Sequence, residues 1–177
     1  MKTNLKSKLQ AISELARKEN YVEAIRRVDQ LIREYPDEPW TWRTRAYVNS
    51  RQGNEDEAIS DLSNAIERSD NEPDFYYSRG IILFEEGRHR EAVSDFTKVI
   101  ELSDLHGSDY YREGAYFFRA DSYVRLKEFA RAKDDCLHVR DDMRTWTDRL
   151  RTKAEILADC PASHTEGQWE QSRRIDI

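Results

Sequence analysis

The sequence is poor in cysteine and in long apolar runs. Its 177 residues include two cysteines, Cys136 and Cys160, which lie too far apart for a CxxC redox motif or a zinc-finger spacing. The longest apolar run, IILF, is too short to span a bilayer, and the N-terminal MKTNLKSKLQAI is not apolar for long enough to be a signal peptide. We therefore expect a protein of a reducing compartment, the cytoplasm, without a membrane segment.

Positive charge is also in deficit. The chain carries 29 Lys and Arg residues against 35 Asp and Glu residues, which gives a net charge of -6. A surface of this sign is unfavourable for the phosphate backbone of DNA or RNA, so nucleic acid is not the expected partner. The apolar fraction of 38% can supply a core at this length without disulfides or metal ions.

Motifs that indicate catalysis are missing as well. None of the six glycines lies in a GxxxxGKS/T, GxGxxG or GxSxG motif, which excludes these phosphate-binding loops and nucleophile elbows. None of the four histidines has a His, Cys or Glu partner at metal-ligand spacing on one helix; they are His89, His106, His138 and His164. We expect no enzyme, no catalytic residues, no metal and no cofactor.

A repeated segment is the strongest signal in the sequence. YVEAIRRV, EDEAISDL, HREAVSDF and FARAKDDC align with their alanines at positions 24, 58, 92 and 132. The first two intervals are 34 residues and the third is 40, because of an insertion around DLHGSDYYREG. A second aromatic-rich block precedes each of the last three copies. The chain is therefore predicted to consist of repeated supersecondary units.

The apolar residues in these units follow the period of an amphipathic helix. Ile59, Leu62 and Ile66, for example, are spaced by three and four residues. Prolines at positions 36, 39 and 73 fall at the joints, where a helix cannot continue. The pattern predicts helix pairs at about 5–18 with 21–34, 39–52 with 55–68, 73–86 with 89–102, and 109–126 with 129–142.

This pattern resembles the tetratricopeptide repeat (TPR) family, whose period is 34 residues. The resemblance covers about residues 5–146. It is carried by Tyr21, Ala24, Val28 and Pro36, by Trp42, Ala46, Gly53, Ala58 and Leu62, by Tyr76, Gly80, Leu83, Gly87, Ala92 and Phe96, and by Tyr116, Ala120, Tyr123 and Ala132.

The resemblance implies an all-α fold, a right-handed superhelical solenoid of about four TPR helix hairpins with a C-terminal capping helix. We expect one helical repeat domain over residues 1–160, with units at about 5–38, 39–72, 73–106 and 107–146 and an end helix at 147–159. The polar tail, residues 161–177, has low apolar content and no helical period, and disorder is its expected state.

An arginine and an aspartate recur sixteen residues apart in otherwise apolar segments. The pairs are Arg45 with Asp61, Arg79 with Asp95, and Arg119 with Asp135. In a helix hairpin of this spacing the two members face each other, and the arginine fork suits a carboxylate. We expect structural ion pairs inside each hairpin. The first unit lacks both members, since Ala11 and Arg27 hold the equivalent positions.

The resemblance also implies a concave groove lined by the first helix of each unit. The expected partner-binding residues are Trp40, Arg43, Tyr47, Arg51, Tyr77, Phe84, Phe117, Phe118, Asp121 and Arg125. Aromatic residues and arginine are enriched at interface hot spots. We expect the groove to take a peptide with apolar anchors and some negative charge.

The insertion before the fourth unit leaves two interpretations open. It is expected to lengthen the first helix of that unit by more than one turn, with Ser108 or Asp109 as the N-cap. Tyr110 and Tyr111 would then form an extended lip beside the groove, or the insertion is a solvated spacer.

The expected function is that of a non-catalytic protein-protein interaction module, an adaptor or scaffold that binds a peptide or partner protein in its groove. One alternative is a bacterial immunity protein or antitoxin that neutralises a toxin by binding it. The other is an RNA-binding helical repeat, because the predicted groove contains both arginines and rings on which bases can stack.

Overall fold

The computed structural model describes residues 3–143 and 151–161 of the chain. Within these ranges all the regular structure is α-helical and no strand occurs. The helices are α1 Thr3–Arg17, α2 Tyr21–Glu34, α3 Pro39–Gln52, α4 Glu55–Arg68, α5 Pro73–Glu85, α6 His89–His106, α7 Arg112–Arg125, α8 Phe129–Cys136 and α9 Lys153–Ala158.

Proline and glycine set several of the helix ends. Pro39 and Pro73 are the first residues of α3 and α5, where the missing N–H is not needed for an intrahelical bond. Gly53 ends α3 with a φ of +82°, a left-handed conformation that favours glycine, and its N–H bonds back to the last turn of the helix. The chain can therefore reverse direction within a few residues at each joint.

The helices pack as hairpins in chain order. The four hairpins are α1 with α2, α3 with α4, α5 with α6, and α7 with α8, and each packs on the next. The four repeated alanines, Ala24, Ala58, Ala92 and Ala132, are all completely buried. A small side chain at this place lets the second helix of each hairpin lie close to its neighbours, which explains why alanine marks the repeat.

Each predicted Arg and Asp pair is in contact within its hairpin. Nη2 of Arg79 lies 2.7 Å from Oδ1 of Asp95, and the corresponding distance in each of the other two pairs is 2.6 Å. The three carboxylates are almost fully buried, while the arginine side chains keep some exposure. A buried charge must be paired and hydrogen-bonded, and the bidentate geometry meets both needs.

The same arginines also reach the preceding hairpin, which the sequence analysis did not predict. Nη1 of Arg45 donates to Asp29 at 2.9 Å, Nη1 of Arg79 to Ser63 at 2.9 Å, and Nη1 of Arg119 to Thr97 at 3.0 Å. The acceptors themselves recur every 34 residues. Each guanidinium therefore connects three helices from two successive hairpins.

The insertion lengthens the helix before it. α6 continues to His106 and ends at Gly107, whose φ is +62°, and α7 begins only at Arg112. The predicted extension of α7 with Ser108 or Asp109 as its N-cap is wrong, because Tyr111 holds the cap position and makes no side-chain cap bond. Leu102 and Ser103 are buried in the extra turn, so packing stabilises the longer α6.

The C-terminal part has fewer helical residues than the sequence predicts. α8 ends at Cys136, six residues before the predicted end at residue 142. Of the expected end helix at 147–159, the structure describes α9, which begins after a capping box formed by Thr152 and Glu155. Ile156 of α9 is fully buried in the core cluster that also contains Phe96 and Phe117. Residues 144–150 and the tail 162–177 lie outside the described residues.

Both cysteine thiols are buried, with Cys136 2% and Cys160 7% exposed, and they are not joined in a disulfide. Burial raises the pKa of the Cys136 thiol to about 11, and the nearby Cys160 acts in the same direction. At pH 8 only about one thiol in a thousand would then be ionised, and the thiolate is the reactive form. We expect neither cysteine to react with Ellman's reagent at pH 8 in the native protein, and both to react in guanidinium chloride. Rapid labelling of the native protein would contradict this expectation.

Candidate functional site

A cavity of about 590 Å³ lies between α3 and α5. α3 provides one wall, α5 provides the other, and Leu62 of α4 contributes from below. The loop between α6 and α7 contributes two further residues. The principal lining residues are Arg43, Tyr47, Ser50, Arg51, Asp74, Tyr77, Ser78, Ile81, Glu85, Tyr110 and Tyr111. A cavity of this size with mixed apolar and polar walls is typical of a binding site.

A second cavity, of about 410 Å³, lies between α1 and α3. Its lining residues are Lys6, Leu9, Gln10, Ser13, Arg17, Trp40, Arg43 and Thr44. Arg43 lines both cavities, so the two are neighbours along the first helices of the first three hairpins. We call their combined surface the groove. A third cavity of about 300 Å³, between α1 and α2, is separate and shares no lining residue with it.

The Asp74 carboxylate in the groove is bonded to two other lining residues, Arg43 and Tyr111. The carboxylate accepts hydrogen bonds from Nε of Arg43 at 2.7 Å and from Nη2 of Arg43 at 3.2 Å. It also accepts a bond from the hydroxyl of Tyr111 at 2.6 Å. Burial, followed by this bond to Asp74, raises the pKa of the Tyr111 phenol. The charge of Arg43 is therefore neutralised inside the protein and is not available as a free cation.

Tyr77 forms part of the packing beneath the groove. Its ring lies against Phe96, Phe118 and Tyr111, with centroid distances of 6.0, 6.2 and 5.0 Å. Gly114 makes this possible, because a Cβ at that position would come within 2.5 Å of the Tyr77 hydroxyl oxygen. Burial raises the pKa of Tyr77 to about 12. This tyrosine therefore contributes mainly to packing and exposes only part of its ring to the cavity.

The structure brings five of the ten predicted groove residues together along the two cavities. They are Trp40, Arg43, Tyr47, Arg51 and Tyr77. Phe84 is partly buried between His89 and Phe118, and Arg125 is exposed at the end of α7; neither lines the groove.

Three predicted groove residues lie inside the protein. Phe117, Phe118 and Asp121 are 1%, 2% and 1% exposed, so a partner cannot reach them on this surface, and the expectation that they line the groove is corrected. Asp121 is paired with Arg151 at 3.0 Å and lies 3.5 Å from Arg125. Phe118 packs against Tyr77, Phe84 and Phe96 of the third hairpin, whereas Asp121 is covered from the C-terminal side, where α9 packs on α7 and Arg151 pairs with Asp121.

The sequence analysis missed Asp74 as a bonding centre and the loop tyrosines as part of a cavity wall. Tyr110 and Tyr111 were expected at a lip or on a spacer, and the structure places both on the lining of the larger cavity. In the sequence, the two adjacent tyrosines of the insertion were the one feature that could have indicated an aromatic wall at this cavity. Their position depends on the lengthened α6, which repeat spacing does not predict.

In residues 3–143 and 151–161, no group of three or more His, Cys, Asp or Glu side chains is placed to hold a metal ion. His89 packs against Phe84, and burial lowers its pKa, which favours the neutral form. The described helices also contain none that combines the length and the apolar character needed to cross a membrane.

The sequence model described as Tetratricopeptide repeat matches residues 9–73 and 43–106, which together span more than half of the 177-residue chain. The chain belongs to the tetratricopeptide repeat family. No curated protein sequence matches it. TPR units generally mediate protein-protein interaction or scaffolding, and the fold is typically a non-enzymatic interaction module.

Solved TPR-like structures have the same architecture at low identity. The MamA RS-1 ArsTM double mutant superimposes with a TM-score of 0.66 at 14% identity, over 78% of this chain and 74% of that one. A mutant of Thermobaculum terrenum O-GlcNAc transferase superimposes with a TM-score of 0.55 at 18% identity, over 80% of this chain and 28% of that one. Identities this low indicate the shared fold only.

Proposed function

We propose that this TPR protein is a non-catalytic binding module that holds a segment of a partner protein in the groove along α1, α3 and α5. The observation that carries the proposal is the pair of neighbouring cavities that share Arg43 and are lined by Trp40, Tyr47 and Tyr77. Tryptophan, tyrosine and arginine in a preformed depression are typical of interface hot spots.

The charges that remain free in the groove favour an acidic segment. Asp74 is already bonded by Arg43 and Tyr111, so it does not attract a cationic partner strongly. Lys6 and Arg51 line the groove without a charged partner among the described residues. We infer a partner segment with apolar anchors and a carboxylate.

The adaptor and the toxin-neutralising roles would use the same surface. RNA binding needs several free cations along a track. The groove offers Lys6 and Arg51 in a chain of net charge -6, which favours a protein partner. A cytoplasmic location stays a prediction from the sequence.

The experiment is affinity capture from the source cell with wild-type protein beside a Tyr47→Ala, Arg51→Glu double variant. These positions are better probes than Arg43 or Tyr77, whose bonds and packing are internal. Arg90→Glu makes a matched charge reversal at an exposed residue that lines none of the three cavities. We expect the partner to be retained by wild type and by Arg90→Glu, and reduced about tenfold or more by the double variant, since single anchors contribute ~2 kcal/mol.

Circular dichroism melting of all three proteins checks that the fold is intact. A partner retained equally by wild type and the double variant would overturn the groove assignment. Captured RNA whose retention falls steeply with salt would favour the RNA-binding alternative instead.

A further inference from the structure

The loop between α6 and α7, residues 107–111, is the part of the chain that breaks the 34-residue period. It is fastened to the body at its C-terminal end, through Tyr111 and the adjacent Arg112. Tyr111 donates its hydroxyl bond to Asp74 of α5 at 2.6 Å. Just after the loop, Arg112 lies 3.0 Å from Asp104 and 3.3 Å from Asp109. A loop held in this way has already lost much of the freedom that a flexible loop would lose on binding.

A column of aromatic rings runs from the core to the tip of this loop. Phe96 and Phe118 stack in the core with a centroid distance of 5.6 Å, and Tyr77 packs on both. Tyr111 follows at 5.0 Å from Tyr77, and Tyr110 lies 4.7 Å from Tyr111. Tyr110 is 84% exposed and lines the larger cavity. The loop therefore presents a large ring to solvent on a rigid support.

The opposite wall of the same cavity belongs to α3. Arg51 lies there, exposed and without a charged partner among the described residues, together with the partly buried Tyr47. Ile81 and Leu62 provide the apolar surface between the two walls. A ligand in this cavity would meet both the Tyr110 ring and the Arg51 guanidinium, which has no charged partner in the part of the chain that the structure describes.

We propose that the 107–111 loop is a specificity-determining wall of the groove, which selects a peptide with a large apolar side chain for Tyr110 and a carboxylate for Arg51. This inference rests on the proposed function. A guanidinium recognises a carboxylate bidentately, and exposed tyrosine supplies contact area with little loss of conformational entropy. A peptide fits better than a nucleic acid strand, because in residues 3–143 and 151–161 Arg51 is the one cation of this cavity without a charged partner, and a strand of phosphates needs several.

The probe is a random twelve-residue peptide library displayed on phage, selected on the wild-type protein. Synthetic copies of the enriched peptides are then measured by fluorescence anisotropy against wild type and three single variants. The variants are Tyr110→Ala, Arg51→Glu and Leu105→Ala. Leu105 is 76% exposed near the end of α6 and lines no cavity described above, so it is the matched control for removing an exposed apolar side chain.

We expect the enriched peptides to combine an acidic residue with a large apolar one. Tyr110→Ala and Arg51→Glu should each raise Kd about tenfold or more, as hot-spot truncations do, while Leu105→Ala changes it less than about twofold. A second selection on Arg51→Glu should enrich Lys or Arg where the first enriched Asp or Glu.

The outcomes separate the two proposals. Peptides weakened by Arg51→Glu but unaffected by Tyr110→Ala would overturn the role of the loop and leave the groove in place. Peptides indifferent to all groove variants, or no enrichment at all, would overturn both the proposed function and this inference.

Discussion

Asp95→Ala is expected to lower the free energy of unfolding by about 3–5 kcal/mol, the usual effect of removing one member of a buried ion pair. The variant leaves Nε and Nη2 of Arg79 without their acceptor, while Nη1 keeps its bond to Ser63. The guanidinium is mostly enclosed, with the Arg79 side chain 21% exposed, so water replaces the lost bonds incompletely.

Replacing both members together should be much less damaging. Burial raises the pKa of Asp95 even though Arg79 lies beside it, which shows that burying the carboxylate offsets much of what the pair contributes. In an Arg79→Met, Asp95→Leu double variant, the free energy of unfolding is therefore expected to fall by less than half as much as in Asp95→Ala. Urea unfolding at pH 7, followed by circular dichroism, measures both.

The control is an ion pair on the surface. Arg88 and Glu91 are bonded at 2.6 Å, but their side chains are 39% and 57% exposed. Exposed pairs contribute about 0–1 kcal/mol, so Glu91→Ala should have a small effect. If Asp95→Ala were as mild as Glu91→Ala, the recurring pairs would not be stabilising units of the hairpins.

Phe96→Ala is the second large change, with an expected loss of about 3–5 kcal/mol from the cavity it creates. Phe96 is completely buried and stacks on Phe118, so its removal affects both the third and the fourth hairpin. Urea unfolding is again the measurement. Leu137→Ala, at a residue that is 80% exposed, should change stability by less than about 0.5 kcal/mol. A mild Phe96→Ala would mean that the hairpins do not share one core.

Gly80 provides a specific test of how Phe96 packs. A Cβ on Gly80 would lie 2.9 Å from Cε1 of Phe96, so Gly80→Ala alone should cost about 1–3 kcal/mol through overpacking. In the Phe96→Ala background the new methyl group has room and helix propensity favours alanine. The loss of unfolding free energy in the Gly80→Ala, Phe96→Ala double variant should therefore be smaller than the sum of the two single losses by more than about 1 kcal/mol. Additive losses would contradict this contact.

The sequence predicted the regular repeats well, because two kinds of local information agreed. The predicted bounds of the helices at 21–34, 39–52 and 55–68 coincide with α2, α3 and α4. Pro39 and Gly53 act at the same joints that the 34-residue period indicates. The insertion was predicted less well, because the extension of α6 depends on burying Leu102 and Ser103, which is a tertiary effect.

The groove was predicted only in part, for two physical reasons. The resemblance assigned Phe117, Phe118 and Asp121 to an open surface, but all three are buried: Phe118 packs on the third hairpin, and Asp121 is paired with Arg151. A count of charges along a helix also does not show which of them are already paired, and Arg43 is bonded to Asp74. Both effects arise from contacts between residues about 30 positions apart.

The second bond of each repeated arginine bears on the mechanics of the whole array. Turning one hairpin away from the one before it would break a directional bond to Asp29, Ser63 or Thr97, whereas apolar side chains alone could slide past one another. The angle between successive hairpins is therefore restrained at all three steps between the four hairpins. The protein should therefore behave as a rigid scaffold of fixed curvature, and a partner must adapt its own shape to it.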